Sequence, residues 1–420
     1  MDSSLIELSL AGFTAVYAAG VLWFRQGLAN CGEDNRNREK THLPERRISI
    51  VIAARNEEDH IASCLRGLAR QTLPAEWFEV ILVDDGSSDG TAKIAKEFAR
   101  GTGLRLTILR TDGITGGPGS KKRALSLGVE KAEGEVVLTT DADCRLPPTW
   151  AASMARRFDD DAVGMVIGYA GIRRDSGRLG LLGGWEAVDF LNLMAAAAAG
   201  AGRGRALAAS GQSLGFRKAA FDEVGGYSRI MHRGSGDDVL LMQLIRRTRR
   251  WRILFAGDAA GHVVHPPSSS LSGLLAKRSR WASNAPFQAL LDPPFFAYLA
   301  CTFAMSAMLL AAPVLAWWGA ASWFSVAAAW LAKSAAEGAL FARSRQVFQR
   351  PDLHWQFLPW TLSQPLCIVA AGLFGALGRF DWKGRSYRWG VEVGGTSSIP
   401  GAGPAGRDLS VIDHRATVSR

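Results

Sequence analysis

Two carboxylates two residues apart, Asp141-Ala142-Asp143, follow the strand-like run Glu135-Val136-Val137-Leu138-Thr139-Thr140. At a strand end both can reach one ligand where the backbone bends. Their oxygens suit a hard divalent cation, Mg²⁺ or Mn²⁺, which completes its shell with phosphate and water. A diphosphate would fit there, and the competing reading is a capped turn ahead of Pro147-Pro148. A second acidic run, Asp84-Asp85-Gly86-Ser87-Ser88-Asp89-Gly90-Thr91, follows Glu79-Val80-Ile81-Leu82-Val83. Turn and capping work competes with ligand binding for Asp84 and Asp89. A third acidic pair, Asp237-Asp238, precedes the apolar Val239-Leu240-Leu241-Met242 and so falls at a helix N-terminus. Dipole complementarity alone is worth about 0.3–1 kcal/mol there.

The elements that must position these groups alternate in type. Ile48 to Ala53 reads as a strand, and Glu57 to Arg70 as a helix with Ile61, Leu65 and Leu68 on one face. Glu79 to Val83 is a strand, Ala92 to Arg100 a helix, Leu104 to Leu109 a strand, Lys121 to Ala132 a helix, and Glu135 to Thr140 a strand. Such alternation predicts an α/β domain with a mostly parallel sheet and ligand sites at the carboxyl ends of its strands. Strand one is followed by Ala54-Arg55-Asn56-Glu57-Glu58 in place of G-x-G-x-x-G, and no G-x-x-x-x-G-K-[ST] occurs. Dinucleotide dehydrogenases and P-loop NTPases are thereby disfavoured.

The chain of 420 residues is 48% hydrophobic, with 49 Lys and Arg against 39 Asp and Glu. Its mean hydropathy of +0.04 points to a membrane component. The five cysteines form no C-x-x-C pair, which argues against a disulfide framework or a zinc site. Leu5 to Phe24 is long enough to span a bilayer, and the basic residues Arg25, Arg36, Arg38, Lys40, Arg46 and Arg47 come after it. The positive-inside rule places the N-terminus outside and the following domain in the cytoplasm. Pro294 to Ala332, broken at Trp317 to Ser322, is long enough for two further spans, and Phe357 to Leu377 for one more. The basic clusters Lys277/Arg278/Arg280, Arg343/Arg345/Arg350 and Arg379/Lys383/Arg385/Arg388 all favour the cytoplasmic side. A re-entrant or interfacial helix at 357–377 is therefore an alternative to a span.

Five segments, taken together, resemble the family 2 glycosyltransferases. They are Ile50 to Glu58, Val83 to Thr91, Thr140 to Asp143, Gly236-Asp237-Asp238, and Lys277-Arg278-Ser279-Arg280-Trp281, in the family's order. The resemblance implies a GT-A fold, Rossmann-like with a mostly parallel sheet, and inverting transfer of sugar from a nucleotide-diphosphate donor. It implies nucleotide-sugar contacts by Ala53, Arg55, Glu57, Asp85 and Asp141, and a metal at Asp143. It places a lysine near the donor phosphates, either Lys121 or Lys122 in Ser120-Lys121-Lys122-Arg123. Asp238, with Asp237 beside it, takes the position of the base that accepts the acceptor's hydroxyl proton. Lys277, Arg280 and Trp281 match a Q/R-x-x-R-W motif at the diphosphate and acceptor side, with Lys where Gln or Arg is usual. A juxtamembrane lipid-binding cluster is the other reading of those cations.

The expected organisation is an N-terminal transmembrane anchor at 1–28, a cytoplasmic catalytic domain at 45–290, a transmembrane or interfacial region at 291–380 and a polar, disordered tail at 381–420. The expected protein is a multi-pass enzyme of the inner cell membrane, resembling ceramide glucosyltransferases and bacterial glycolipid and carotenoid glycosyltransferases, with a lipid or polyisoprenoid-like acceptor. A processive polysaccharide synthase and a silent nucleotide-sugar-binding scaffold are the alternatives. Nucleic acid is not expected as a partner, because the basic residues flank apolar segments instead of forming an aromatic-interleaved stripe. Three further segments are suggestive. Gly211 to Arg217 resembles an acceptor-side loop, Leu179 to Ala199 reads as an interfacial or core helix, and His262-x-x-His265 is a weak metal candidate.

Overall fold

The computed structural model describes residues 3–38, 46–111, 120–174, 177–377, 379–382, 385–388 and 391–392. Most of the expected polar tail, including all of 393–420, lies outside the described residues.

The strand and helix expectations recur in place. β1 (Ile48–Ala54), β2 (Phe78–Asp84), β3 (Leu106–Arg110) and β4 (Val136–Asp141) run parallel in the order β3-β2-β1-β4. Their β-branched and leucine side chains are buried almost throughout β1, β2 and β4, as expected of central parallel strands. The sheet continues through strands that period-two reading missed. β5 (Val163–Gly168) and β7 (Leu214–Arg217) lie beyond β4, with β7 antiparallel to both neighbours, and β8 (Arg252–Ala256) closes the edge parallel to β5. A small pair, β6 (Ala170–Ile172) and β9 (Val263–His265), stands apart.

Helices α2 (Ile61–Ala69), α3 (Thr91–Thr102) and α4 (Ser120–Lys131) occupy the connections of the parallel half. α4 packs on β1 and β2 so closely that a Cβ on Gly128 would lie 2.3 Å from the Val51 side chain. Then come α5 (Trp150–Ala155), α6 (Leu181–Gly202), α7 (Lys218–Glu223), α8 (Val239–Arg247), α9 (Leu271–Ala282) and α10 (Ala285–Leu291). α6 is buried along most of its length, so it is a core helix. It packs on β6 and β8 from one side and receives the long apolar helices on the other.

Those helices are α1 (Ser3–Arg38), α11 (Pro293–Trp317), α12 (Trp323–Val347) and α13 (Phe357–Leu377). Among the described residues, Ser3–Ala29, Pro293–Trp317 and Pro351–Ala376 are long and apolar enough to cross a membrane. α1 runs from the α11–α12 turn, where the Ser322 N–H donates to Glu7 Oε1 at 2.6 Å, to α6, where Gly27 meets Ala199. The break expected at Trp317 to Ser322 is that turn.

The second half of the hairpin differs from the hydropathy reading, which stopped at Ala332. α12 continues for four more turns because its charges are satisfied inside the bundle. Lys333 Nζ donates to Glu337 Oε2 at 2.7 Å and to the Thr361 carbonyl at 2.8 Å, and Tyr17 O–H donates to Glu337 Oε1 at 2.6 Å. One buried ion pair thus ties α1, α12 and α13 together.

α13 touches the α/β domain at both ends. Near its start Gln356 lies against Gly184, Trp360 Nε1 donates to Asp189 at 3.0 Å, and Trp185 Nε1 donates to Ser363 at 2.7 Å. Near its end Gly375 sits on α9, where a Cβ would lie 2.7 Å from the Ser279 carbonyl. Leu358, Leu362, Leu366, Leu373 and Phe374 form its exposed stripe.

Candidate active site

The parallel register brings three strand ends side by side: Ala54 pairs with Asp84, and Ala53 with Val83 and Asp141. The chain then turns sharply at Gly86, whose φ of 69° lies in the left-handed region. The turn is laced to the β1 loop. Asp85 N–H donates to Ala54 O at 2.8 Å, Asn56 Oδ1 accepts from Ser88 N–H at 2.9 Å, and Glu57 N–H donates to Thr91 Oγ1 at 2.8 Å. Arg55 Nη1 donates to the Asp85 carbonyl at 2.8 Å. The Asp85 carboxylate accepts from Thr111 Oγ1 at 2.9 Å and lies 3.8 to 3.9 Å from Arg123 and Arg55. Ala53, Arg55, Glu57 and Asp85 therefore share one ledge. Asp84 is fully buried and accepts from Ser87 N–H, which is turn work.

The two candidate lysines point in different directions. Lys121 Nζ bridges Asp141 Oδ1 at 2.7 Å and Asp237 Oδ2 at 2.8 Å. Lys122 turns inward, buried, and donates to the carbonyls of Arg233 and Ser235 (3.1 Å for the latter). It props the loop that presents the acidic pair, and burial pulls its pKa down to about 8.

That loop turns at Gly236 (φ 91°), where a Cβ would also strike Leu240 at 2.6 Å. Asp238 caps α8, accepting from Val239 N–H at 2.6 Å and from Gly211 N–H at 3.0 Å. Gly211 belongs to the suggestive acceptor-side loop, and a Cβ there would come within 3.0 Å of Asp237 and 3.2 Å of Lys121. The two aspartates diverge electrostatically. Burial raises both, but at Asp237 the Lys121 ammonium overrides burial and holds the carboxyl below its usual range. Asp238 is desolvated and faces the Asp237 charge, which pushes it up to about 6. Asp237 is thereby held as an ionised anchor for Lys121, while Asp238 is the member of the pair whose proton exchange is moved toward neutral pH.

Asp143 has no ion-pair partner among the described residues, in contrast to Asp141. Its neighbours are the Cys144 thiol at 3.8 Å and the buried His265, whose Nε2 has no hydrogen-bond partner. Among the described residues no three His, Cys, Asp or Glu side chains cluster closely enough to hold a metal by themselves. One carboxylate without a cation fits a divalent ion that arrives with diphosphate oxygens, as Mg²⁺ commonly does.

On α9 the motif residues divide. Lys277 Nζ is paired with buried Glu186 at 2.9 Å. The charge of Arg280 acts on Asp237 and its carbonyl accepts from Ser235 Oγ at 3.2 Å, so it stands at the acidic pair. Trp281 lies under the Arg278 guanidinium at 4.5 Å and beside Phe190. Sequence reasoning missed Thr111, Arg123, Glu186 and Asp189. Arg123 alone carried a signal, in the basic start of α4.

Residues 49–225 match the family model Glycosyl transferase family 2. The chain carries a family 2 glycosyltransferase domain. Over 121 residues it is 31% identical to glycosyltransferase AglE of Haloferax volcanii, covering 29% of this chain and 38% of that protein. Over 163 residues it is 29% identical to the beta-monoglucosyldiacylglycerol synthase of Trichormus variabilis, covering 39% and 32%. Over 130 residues it is 31% identical to an undecaprenyl-phosphate 4-deoxy-4-formamido-L-arabinose transferase of Klebsiella pneumoniae, covering 30% and 38%. The matches thus span about a third of each relative's length.

In three dimensions the chain is similar to mannosyltransferase PcManGT of Pyrobaculum calidifontis, solved with GDP-Man and Mn²⁺. The TM-score is 0.55 at 21% identity, covering 88% of this chain and 98% of that one. The fold is GT-A-like, as the five segments implied. Within the glycosyltransferase domain the matched residues hold the ledge, Lys121, Asp141, Asp143 and Gly211, whereas Asp237, Asp238 and α9 lie beyond them.

Proposed function

We propose that this chain is a membrane-bound inverting glycosyltransferase that moves a sugar from a nucleotide-diphosphate donor to the hydroxyl of a lipid-like acceptor. The observation that carries the reading is the Lys121 bridge. One ammonium joins Asp141, at the donor end of β4, to Asp237, whose neighbour Asp238 has the raised pKa of a base.

In this mechanism Arg55, Glu57 and Asp85, with the backbone at Ala53, receive the nucleoside. Asp141 orients the donor, and Lys121 and Arg280 meet the negative charge that grows on the departing diphosphate. Asp143 would hold a Mg²⁺ or Mn²⁺, which would supply further neutralisation of the diphosphate charge. Asp238 accepts the proton of the acceptor hydroxyl as its oxygen forms the bond to the anomeric carbon. The bond from that carbon to the diphosphate oxygen breaks on the opposite face, so the configuration inverts. The products are the glycoside and the nucleoside diphosphate, with the proton on Asp238.

The membrane reading is supported by the apolar helices α1 and α11, with Trp317, Trp318, Trp323 and Phe324 exposed at the α11–α12 turn, where interfacial aromatics belong. With α12 returning beside α11, its Lys333–Glu337 pair satisfied inside the bundle, the crossings number three, and the N-terminus lies opposite the catalytic domain, which takes the cytoplasmic side with its basic clusters. α13 lies along the interface, because both its ends meet α6 and α9 and basic clusters flank it on one side. This arrangement accounts for a lipid acceptor reaching the site from the bilayer.

The test incubates membranes carrying the wild type or Asp238→Asn with radiolabelled nucleotide sugars and Mg²⁺ or Mn²⁺, then partitions the label. Organic-phase label with the wild type alone is the expected result. Insoluble polymer would replace single transfer by processive synthesis, and no incorporation from any donor with native lipid extract would reject the enzyme reading.

A further inference from the structure

We propose that Glu186 and Asp189, one turn apart on α6, are positioning residues that lock α9 through its consecutive cations Lys277 and Arg278, and so set where Arg280 and Trp281 stand for the acceptor. Glu186 is 1% exposed and accepts from Ser268 N–H at 2.7 Å, Ser268 Oγ at 2.9 Å and Lys277 Nζ at 2.9 Å. Asp189 pairs with the buried Arg278 guanidinium and also accepts from Trp360 Nε1 on α13.

The geometry explains why two pairs are used. Successive residues on a helix project about 100° apart, so one ion pair leaves a helix free to roll about its axis, while two pairs from adjacent residues fix the roll. Trp281 is four residues from Lys277 and three from Arg278, and so lies next to both on the α9 surface. The Arg278 guanidinium over its ring completes the contact. α9 is then joined to the acidic-pair loop through Ser235 Oγ and the Arg280 carbonyl. The ledge at Asp85 is held by the β1 and β2 loops and has no part in the clamp. Misplacing α9 therefore shifts Arg280 and Trp281 while the nucleoside ledge that sets donor binding stays in place. Arg278 without Asp189 would be a buried charge with no counter-ion, which makes the clamp all-or-none.

The kinetic half of this inference rests on the glycosyl-transfer reading, whereas its structural half does not. In the full-length protein in detergent, backbone hydrogen exchange is followed for Asp189→Asn, Glu186→Gln and the exchanged pair Asp189→Arg with Arg278→Asp. Exchange in 271–282 is expected to quicken about tenfold in each single variant, while β1, β2 and β4 stay protected, and the exchanged pair recovers most of the loss. In the transfer assay the acceptor KM is expected to rise about tenfold, with the donor KM within about twofold of wild type. Unchanged α9 exchange in both single variants overturns the clamp, as does a donor KM that rises as much as the acceptor KM. If Asp189→Asn loses protection everywhere, Glu186→Gln decides: loosening confined to α9 supports the clamp, and none overturns it. If the wild type transfers no sugar at all, the enzyme reading fails and the exchange pattern still decides the clamp.

Discussion

The two halves of the site are built differently. The donor half is made of strand ends whose positions follow from parallel register, and the loops after its neighbouring strands are laced to each other by bonds such as Ser88 N–H to Asn56 and Gly90 N–H to Glu58. The acceptor half is gathered from α6, the Gly211 loop, α8 and α9, and is held by ion pairs between distant segments such as Lys277 and Glu186. In the proposed reading the nucleoside ledge is built on the sheet's strand ends and the start of α4, whereas the acceptor side depends on the helical layer and, through Trp360 and Asp189, on the apolar bundle. The two halves should fail separately.

The largest separation is expected at Asp238. Asp238→Asn keeps the cap geometry and removes the base, so turnover should fall by about 10²–10⁴-fold with donor binding retained. Because Asp238 acts ionised and its pKa is raised to about 6, kcat/KM of the wild type should fall below that pH and level off above it. A pH–rate series reads the limb directly. Loss of donor binding in Asp238→Asn would show the halves to be one unit.

A second large effect is expected far from the chemistry. Lys333→Met leaves Glu337 buried without its cation, at a cost of about 3–5 kcal/mol to the bundle. Thermal unfolding of the full-length protein in detergent should show a lower first transition, while nucleotide binding persists below it. A single transition in which binding and bundle are lost together would join the halves.

Lys121→Gln tests the seam between them. It leaves Asp141 and Asp237 facing each other without the shared ammonium, and charge-assisted bonds of about 1.5–3 kcal/mol correspond to roughly a 10–100-fold loss in kcat/KM. Lys122→Gln should act on stability first, because its Nζ is spent on the Arg233 and Ser235 carbonyls. If the two variants reverse these effects, the assignment of direction is wrong.

The same contrast explains what was legible beforehand. Strands at 48–54, 78–84 and 136–141 stand out as apolar runs, and the acidic residues that end the latter two follow directly. Asp237 and Asp238 are adjacent and precede a helix, so they too are visible. Lys277 is different: a cation in a basic motif reads as a phosphate ligand, and nothing nearby in the chain announces Glu186 as its partner. Lys121 and Lys122 share a helix start where periodicity has no phase, and only the carbonyls that capture Lys122 separate them. Hydropathy ended α12 at Ala332 because it counts Lys333 as exposed, although the ion pair with Glu337 lets the helix run on to Val347.

The smallest effect should fall at Thr111, which no motif marks. Its hydroxyl donates to Asp85 Oδ1 at 2.9 Å from a position where its backbone N–H also bonds Asp84 O. Thr111→Val keeps the shape and removes one neutral-donor bond, worth about 1 kcal/mol. The donor KM should rise about fivefold while the acceptor KM and the pH limb of Asp238 stay where they were, because Asp85 can turn on the ledge without moving Lys121 or α8. Nucleotide titration of the variant measures this directly. A shift of the acceptor KM as well would mean that the ledge and the acidic pair communicate through α4, whose Arg123 reaches Asp85 and whose Lys121 reaches Asp237.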